Sequence, residues 1–286
     1  MPRFDTISFL TDYGTTDEFV GVVHSVIRQI APEVHVIDVS HQVPAHDVRA
    51  GGLTLARSAQ YLAPGVVLAV VDPGVATARR AVAIEVGDGA SILVGPDNGL
   101  LAPAVSMVGG ATRAVELTNL DYQLPAPGPT FAGRDIFGPA AAHLCNGVDL
   151  LDLGPELDIN GLMPAMIPIT RVEDDAIVGE VLWTDAFGNL QLNVDPAEIE
   201  AFGPRVELRF DGRVRTGVRH DTYADVPTGE IGLIVDSYGL VSLAVNRSSA
   251  AEELRIGTGD EVILAAIGDE PARAGVITPV TLKEKP

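Results

Sequence analysis

The stretch VVLAVVDPG, residues 66–74, carries the strongest indication of the fold. Its first six residues are apolar, four of them valine, and Pro73-Gly74 ends the run. Such a run is typical of a strand buried in a parallel sheet. Asp72 stands at the end of this strand and Arg79 follows it closely, so a carboxylate is expected near a cation. Ligands of open α/β sheets bind beyond the carboxyl ends of the strands, which makes this a candidate reaction site.

Similar segments recur along the first half of the chain. ISFLTD ends at Asp12, VHVID ends at Asp38, and ILVGPDNG carries Asp97 in a turn. Helix-like segments lie between them, and residues 17–30 form the clearest one because their apolar side chains fall on a single stripe. The alternation of strand and helix predicts an α/β domain with a mainly parallel sheet. We expect the four carboxylates to lie toward one edge of that sheet.

The pattern changes after about Pro168. IVGEVLWTDAFGNLQLNV, RVELRFDGRVRTGVRH and EIGLIVDSYGLVSLAV are typical of short strands joined by glycine-containing turns. Asp211-Gly212 is a direct signal for a two-residue hairpin. We therefore predict an α/β N-terminal domain over residues 1–168 and an all-β, barrel-like C-terminal domain over residues 169–286.

Composition limits the possible partners. A formal net charge of -20 argues against binding to nucleic acid or to an anionic membrane, because both require basic patches. No apolar run approaches the roughly 18 residues that span a bilayer. Cys145 is the single cysteine, which fits a reducing compartment, and no signal peptide is evident, so a cytoplasmic location is expected.

No metal or other cofactor is predicted. The chain has no cysteine pair and no His-Glu-x-x-His helix. His41, His46 and Asp47 are close in sequence, but loop histidines at this spacing are usually solvated.

Six segments appear in a characteristic order: FLTDYGTTDEF, VDPGVATARR, LVGPDNGLL, TFAGRDIFGPAAAHL, TDAFGNLQLNV and SYGLVSLAVNRSSA. Together they resemble the adenosine-forming S-adenosylmethionine (SAM) hydrolases, or SAM hydroxide adenosyltransferases, a family related to the fluorinases and chlorinases. The resemblance covers nearly the whole chain. It implies a SAM hydrolase that releases adenosine and L-methionine. It also implies a homotrimer with active sites between subunits.

The chemistry of SAM explains which residues matter. Its sulfonium is already a good leaving group, so attack on ribose C5′ depends mainly on positioning a water molecule. Asp72 can hold that water and accept its proton, while Arg79 fixes the carboxylate. By resemblance the two belong to a triad with a histidine, whose position is Ala132 here. Asp72 would repel an entering halide, so hydrolysis is favoured over halogenation.

Ala132 is the main departure from the family pattern. Alanine cannot accept a proton or hydrogen-bond a water molecule. Three interpretations remain open: a substitution introduced to trap a ligand, a natural member of low activity, or chemistry by Asp72 and Arg79 alone. The intact flanking motif favours the first.

The resemblance also carries over eight substrate-binding residues. It assigns Asp12 to the ribose hydroxyls, His46 to the nucleoside, Asp185 to the methionine ammonium, Phe187 and Asn189 to adenine, Ser237 and Tyr238 to the methionine carboxylate, and Asn246 to a purine-binding segment. Tyr238 replaces an arginine of a relative, so charge pairing with the carboxylate is missing there. As alternatives, His46 is an exposed loop residue, and Phe187 and Asn189 are ordinary turn residues.

Two other functions stay in competition with SAM hydrolysis. A nucleoside-binding protein would hold SAM or adenosine without turnover, with Ala132 marking the lost catalysis. A metal-dependent phosphohydrolase would use Asp12, Asp38, Asp72 and Asp97. The lack of a glycine-rich phosphate loop counts against the phosphohydrolase.

Overall fold

The computed structural model describes residues 3–268. Its internal contacts separate into two compact units, Met1–Pro168 and Ile169–Pro286. The predicted second domain also includes residues 269–286, which lie outside the described residues. Among residues 3–268 no helix has both the length and the apolar character needed to cross a membrane.

The first unit contains a six-stranded sheet. Its strands are β1 (Thr6–Thr11), β2 (His35–Ser40), β3 (Val66–Val70), β4 (Ala81–Val86), β5 (Ser91–Pro96) and β6 (Ala111–Glu116), in the order β2-β1-β3-β5-β4-β6. The pairs β1–β2, β1–β3 and β3–β5 are parallel, while β4 runs antiparallel to both of its neighbours. The mainly parallel sheet is confirmed.

Helices cover both faces of this sheet. They are α1 (Phe19–Ile30), α2 (Val48–Ala59), α3 (Ala102–Met107) and α4 (Gly138–Cys145), and a π-helical turn over Gly133–Phe137 leads into α4. Leu68 of β3 belongs to the core that includes residues of α1 and α4, whereas its neighbours Val67 and Ala69 belong to the core on the side of α2 and α3. Successive strand side chains point to opposite faces. Burial on both faces therefore explains why the run at residues 66–71 is apolar without interruption.

Three of the four predicted carboxylates follow parallel strands directly. β1 ends before Asp12, β3 ends shortly before Asp72, and β5 ends before Asp97. The prediction for Asp38 is wrong, because β2 continues to Ser40. The pairing with β1 extends that far, with Leu10 opposite Ser40, and this carries the strand past Asp38.

The second unit is a closed barrel of seven strands. Within the described residues this unit has the strands β7 (Arg171–Glu173), β8 (Ala176–Thr184), β9 (Leu190–Leu192), β10 (Arg205–Phe210), β11 (Arg213–Arg219), β12 (Ile231–Val235), β13 (Val241–Ala244) and β14 (Glu261–Ala266), and all of them except β7 form the barrel. The short helix α5 (Ala250–Leu254) lies between β13 and β14 in the chain. The ring runs β14-β10-β11-β12-β13-β9-β8 and closes by pairing of β14 with β8, while β7 pairs only with β8. The barrel-like all-β fold is thus confirmed.

The predicted hairpin at Asp211-Gly212 is also confirmed. It joins β10 to β11, with Phe210 opposite Arg213. Asp211 and Gly212 have φ of 47° and 67°. Positive φ at both central residues is the requirement of a type I′ turn, which asparagine, aspartate and glycine meet most easily.

Cys145 lies fully buried at the end of α4. Burial, together with the charge of Asp5, raises the pKa of its thiol to about 12. The reactive thiolate is therefore scarce at neutral pH, and Cys145 acts as a small apolar core residue.

Candidate active site

Asp72 and Arg79 form a two-point ion pair just beyond β3. Nε and Nη2 of Arg79 donate to Oδ1 and Oδ2 of Asp72 at 2.9 and 2.5 Å. The side chains are only 6% exposed for Asp72 and 13% for Arg79. Bidentate pairing fixes the plane of a carboxylate as well as its position. The structure thus brings together the two residues that the sequence placed at the reaction site.

Neighbouring elements hold this pair in place. The Arg79 guanidinium carbon lies 5.0 Å from the centre of the Phe137 ring, in the π-helical turn. Asn98, which follows β5, donates its side-chain amide to the Val71 carbonyl at 2.9 Å and accepts from the Leu100 N–H. Asp72 is therefore supported by an adjacent strand as well as by its own.

Asp12 lies in the same unit, directly after the interior strand β1. Its Oδ2 accepts the backbone N–H of His46 at 2.8 Å. His46 has φ of 67°, a conformation uncommon for residues other than glycine, and it is exposed. The contact with Asp12 is thus made by the backbone of His46. A carboxylate retains further acceptor capacity beyond this one bond.

Tyr13 belongs to this site but was missed by the sequence reasoning. Its ring contacts Phe19 and Phe131, with centroids 5.7 and 5.8 Å away. Its hydroxyl rests against Gly133, where a Cβ would come within 2.3 Å of the oxygen. Its position directly after Asp12 in FLTDYGTTDEF was the only available signal.

The surroundings of Tyr13 raise the pKa of its hydroxyl. Burial is the main factor that raises the pKa of Tyr13, and the negative charges of Asp12 and Asp72 raise it further. The phenol is therefore within electrostatic reach of both carboxylates and remains a hydrogen-bond donor at neutral pH.

Ala132 lies buried in the segment that Tyr13 contacts. It is 4% exposed and immediately precedes the π-helical turn. Its two neighbours in sequence are Phe131, which meets the Tyr13 ring, and Gly133, which meets the Tyr13 hydroxyl. The phenol of Tyr13 consequently lies beside the backbone at Ala132, the position that the family resemblance assigns to a histidine.

The remaining carboxylates have separate partners. Asp97 accepts from Arg80 Nε at 2.9 Å and from the Met163 N–H at 2.8 Å, whereas Asp38 contacts His24 and His41. Within residues 3–268, the one group of three or more candidate metal ligands that converge is His24, Asp38 and His41. Since Asp12, Asp72 and Asp97 lie outside it, the geometry does not favour the phosphohydrolase. The expectation that His41 is solvated is wrong, because it is 6% exposed.

In the second unit, Asp185 organises the turn that carries Phe187 and Asn189. Asp185 Oδ1 accepts the N–H groups of both residues at 2.8 Å, and its Oδ2 accepts from Asn189 Nδ2 at 2.8 Å. Gly188 has φ of 83° and packs so closely on Ser249 that a Cβ would lie 2.1 Å from the Ser249 Oγ. These contacts fix the conformation of the turn. Phe187 is 80% exposed on it.

A cleft of about 600 Å³ opens beside this turn. Its lining includes Phe187, Asn189, Tyr223, Arg247 and Ser248. Aromatic rings with a few polar groups are typical of sites for flat, polar heterocycles. Sequence reasoning missed Tyr223, which no local motif marks, and Arg247, although the latter stands in SYGLVSLAVNRSSA.

The other predicted binding residues lie outside the lining of this cleft. Asn246 donates its amide to the Val226 carbonyl at 2.7 Å. Ser237 and Tyr238 are exposed in the turn between β12 and β13, where Asp236 Oδ1 accepts the Tyr238 N–H at 2.8 Å.

Tyr223 lies within electrostatic reach of both this turn and the DAFGN turn. Burial raises the pKa of Tyr223, and the charges of Asp236 and Asp185 raise it further. Tyr223 is therefore a hydrogen-bond donor at neutral pH.

Comparisons with known proteins agree with this two-unit arrangement. Residues 7–154 match the SAM hydroxide adenosyltransferase N-terminal domain, and residues 179–263 match the SAM hydroxide adenosyltransferase C-terminal domain. The (R)-S-adenosyl-L-methionine hydrolase of Salinispora tropica is 46% identical over 91% of this chain and 97% of its own. The fluorinase of Actinoplanes sp. (strain N902-109) is 26% identical over 88% of this chain and 95% of its own.

A solved structure from Thermotoga maritima, described as an uncharacterized conserved protein, has a TM-score of 0.84. It is 33% identical to this chain and covers 91% of it and 99% of its own length. The matches to both domains and the 46% identity to the Salinispora tropica hydrolase show a closer relationship than a common fold. The chain therefore belongs to the SAM hydroxide adenosyltransferase family.

Proposed function

We propose that this protein hydrolyses SAM to adenosine and L-methionine. The observation that carries the proposal is the buried Asp72 carboxylate, held at two points by Arg79 at the end of a central parallel strand. A relative that is 46% identical bears the name of a hydrolase of (R)-S-adenosyl-L-methionine, which supports the same substrate. Members named fluorinase are less similar, and the carboxylate at Asp72 disfavours an entering halide.

In the proposed reaction, Asp72 orients a water molecule in line with the C5′–S bond. The water oxygen bonds to C5′ while the C5′–S bond breaks, and the bonding pair stays on sulfur as the thioether of methionine. Asp72 takes up the proton of the water and passes it to solvent. Arg79 keeps the carboxylate in one orientation throughout, so the main contribution of the site is positioning.

Tyr13 supplies the hydrogen-bonding group that Ala132 lacks. Its protonated hydroxyl lies beside residues 132–133 and within reach of the charges of Asp12 and Asp72. From there it can donate to Asp72 or to the attacking water. Chemistry in the absence of the family histidine then rests on Asp72, Arg79 and Tyr13 together.

Tyr13→Phe is expected to lower turnover about tenfold, because it removes one positioned donor worth roughly 1.4 kcal/mol of barrier. Steady-state kinetics measures the effect, and the affinity for SAM should change less than the rate. Tyr61→Phe, at an exposed position outside the site, is the matched control. Equal rates for Tyr13→Phe and the unaltered protein would exclude Tyr13 from the chemistry.

The binding roles proposed for the substrate divide between the two units. Asp12 binds the ribose hydroxyls and His46 lies against the nucleoside. In the second unit, Asp185, Ser237 and Tyr238 serve the methionine end, while Phe187, Asn189 and Asn246 serve the purine. The exposed Phe187 ring and the cleft beside it support the assignment of adenine to that turn.

A homotrimer with sites between subunits would bring both sets of residues to one ligand. Light scattering is expected to give a mass about three times the 29.9 kDa of the chain. A monomer with full activity would contradict the shared site.

A Phe187→Ala variant should remain trimeric yet bind SAM more weakly, since stacking on an aromatic ring is worth about 1–3 kcal/mol per base.

Chromatography of reaction mixtures tests the proposed function directly. Adenosine and methionine are expected in equimolar amounts, and a chelator should leave the rate unchanged. The (R) and (S) sulfonium epimers are assayed separately, because the name of the relative specifies (R). No adenosine above a protein-free control would overturn the hydrolase assignment.

A SAM-binding or adenosine-binding protein without turnover is the second candidate. It is favoured by one observation, the buried alanine at the position of the family histidine. Calorimetric binding of SAM with no release of adenosine over hours would support it.

A cytoplasmic location, and the lack of nucleic-acid or membrane partners, remain predictions from the charge of -20 and the single cysteine.

A further inference from the structure

Three side chains converge near the β2 edge of the N-terminal sheet. They are His24 of α1, Asp38 of β2 and His41, which directly follows that strand. Nε2 of His24 and Nε2 of His41 lie 2.8 and 3.0 Å from the same oxygen, Oδ1 of Asp38. We propose that these three residues bind a divalent first-row transition metal ion such as Zn²⁺.

The donor set fits such an ion. Imidazole nitrogens suit zinc, iron, nickel and copper, and two histidines with one carboxylate leave positions open for water. Tetrahedral ligands bonded at about 2.0–2.1 Å lie about 3.3 Å from one another, so the observed separations need to widen by only about 0.3–0.5 Å. The side chains of Asp38 and His24 are 45% and 33% exposed, so an ion can enter from solvent and retain bound water.

His41 provides the second, independent observation. It is 6% exposed, and its Nε2 has no hydrogen-bond partner even though the Asp38 oxygen is 3.0 Å away. At this distance the Asp38 oxygen lies too far from the direction of the Nε2 bond for an N–H···O hydrogen bond. A buried nitrogen without a partner is costly, and a metal ion at the meeting point would accept its lone pair.

The other ring nitrogen of His41 points to the same conclusion. Nδ1 lies 2.8 Å from the Thr11 hydroxyl oxygen, which also accepts the N–H of Tyr13. Histidines that bind metals commonly donate their second ring N–H to an oxygen. When Nδ1 donates to Thr11, Nε2 is unprotonated and its lone pair lies 3.0 Å from a carboxylate oxygen of Asp38, and a cation bound by both atoms stabilises this arrangement.

Packing holds both rings toward the meeting point. The ring of Phe9, in β1, has its centroid 5.8 Å from that of His24 and 4.8 Å from that of His41. The His41 carbonyl also accepts the Gly14 N–H at 2.8 Å. A bound ion would therefore tie α1 and β2 to the end of β1, next to Asp12 and Tyr13. Its role is structural, since Asp72 and Arg79 are not among its ligands.

The test uses the full chain after dialysis against a chelator. Zinc binding is measured by titration calorimetry, and cobalt binding by visible absorption. The unaltered protein is expected to bind one Zn²⁺ per chain, and its Tm should rise by about 5 °C at 100 times the Kd. Thermal unfolding provides a readout that does not depend on SAM hydrolysis.

His24→Ala and His41→Ala are each expected to weaken zinc binding at least about tenfold and, at the same zinc concentration, to reduce the rise in Tm by about half or more. His35→Ala is the matched control, because His35 is an exposed histidine of the same strand outside the cluster. His24 is partly exposed, so His24→Ala decides the matter even if His41→Ala fails to fold. The proposal would be overturned if the protein bound no zinc at a zinc concentration 100 times that of the protein. It would also be overturned if His24→Ala bound zinc as tightly as the unaltered protein.

Discussion

Replacing Asp72 by alanine is expected to lower the turnover of SAM by about 10²- to 10⁴-fold, the usual effect of removing a positioned base. The carboxylate is buried, fixed at two points by Arg79, and placed at the end of a central strand. Because its proposed partner is the attacking water, SAM binding should change much less than the rate. Single-turnover kinetics and calorimetry measure the two effects separately.

Asp97→Ala is the matched control for this experiment. Asp97 also follows a parallel strand and also pairs with an arginine, Arg80, and its side chain is 5% exposed. Removal of the Asp97 carboxylate should lower the stability of the protein, because the charge of Arg80 loses its partner. The turnover number of the folded protein should stay near its original value. An unchanged turnover number in Asp72→Ala would disprove the role of Asp72.

Ala132→His is expected to raise turnover at least about tenfold, equivalent to roughly 1.4 kcal/mol of barrier. The new imidazole places a hydrogen-bonding group beside the Tyr13 hydroxyl, at the position that the family resemblance assigns to a histidine. Steady-state kinetics measures the gain, and binding should change less than rate. The same substitution in the Tyr13→Phe background should recover most of the activity lost there, if the two groups serve the same water.

The control must account for the size of the new side chain. Ala132 is buried in the core, and enlarging a buried residue typically costs about 1–3 kcal/mol of stability. Ala132→Leu also enlarges the buried side chain but adds no hydrogen-bonding group, so this variant should lose stability without any increase in turnover. A folded Ala132→His protein whose rate stays within a factor of about two would show that the third catalytic position lies elsewhere.

Elements that depend on local pattern could be predicted from the amino-acid sequence alone. The apolar run before Asp72-Pro73-Gly74 specified a buried strand, and Asp211-Gly212 specified a hairpin, because both signals act between near neighbours. The six ordered segments identified the family and named most of the candidate site. The roles of those residues remain predictions.

Tertiary structure decided what depends on residues far apart in the chain. It carried β2 past Asp38, brought the Tyr13 hydroxyl against Gly133, and buried His41 beside His24 and Asp38. Hydrophobic periodicity specifies which face of an element is buried, but it does not specify which distant loop packs against that element's end. The raised pKa of Tyr13 and the convergence of side chains at Asp38 arise from that packing, because burial and the proximity of charges exist only in the folded chain.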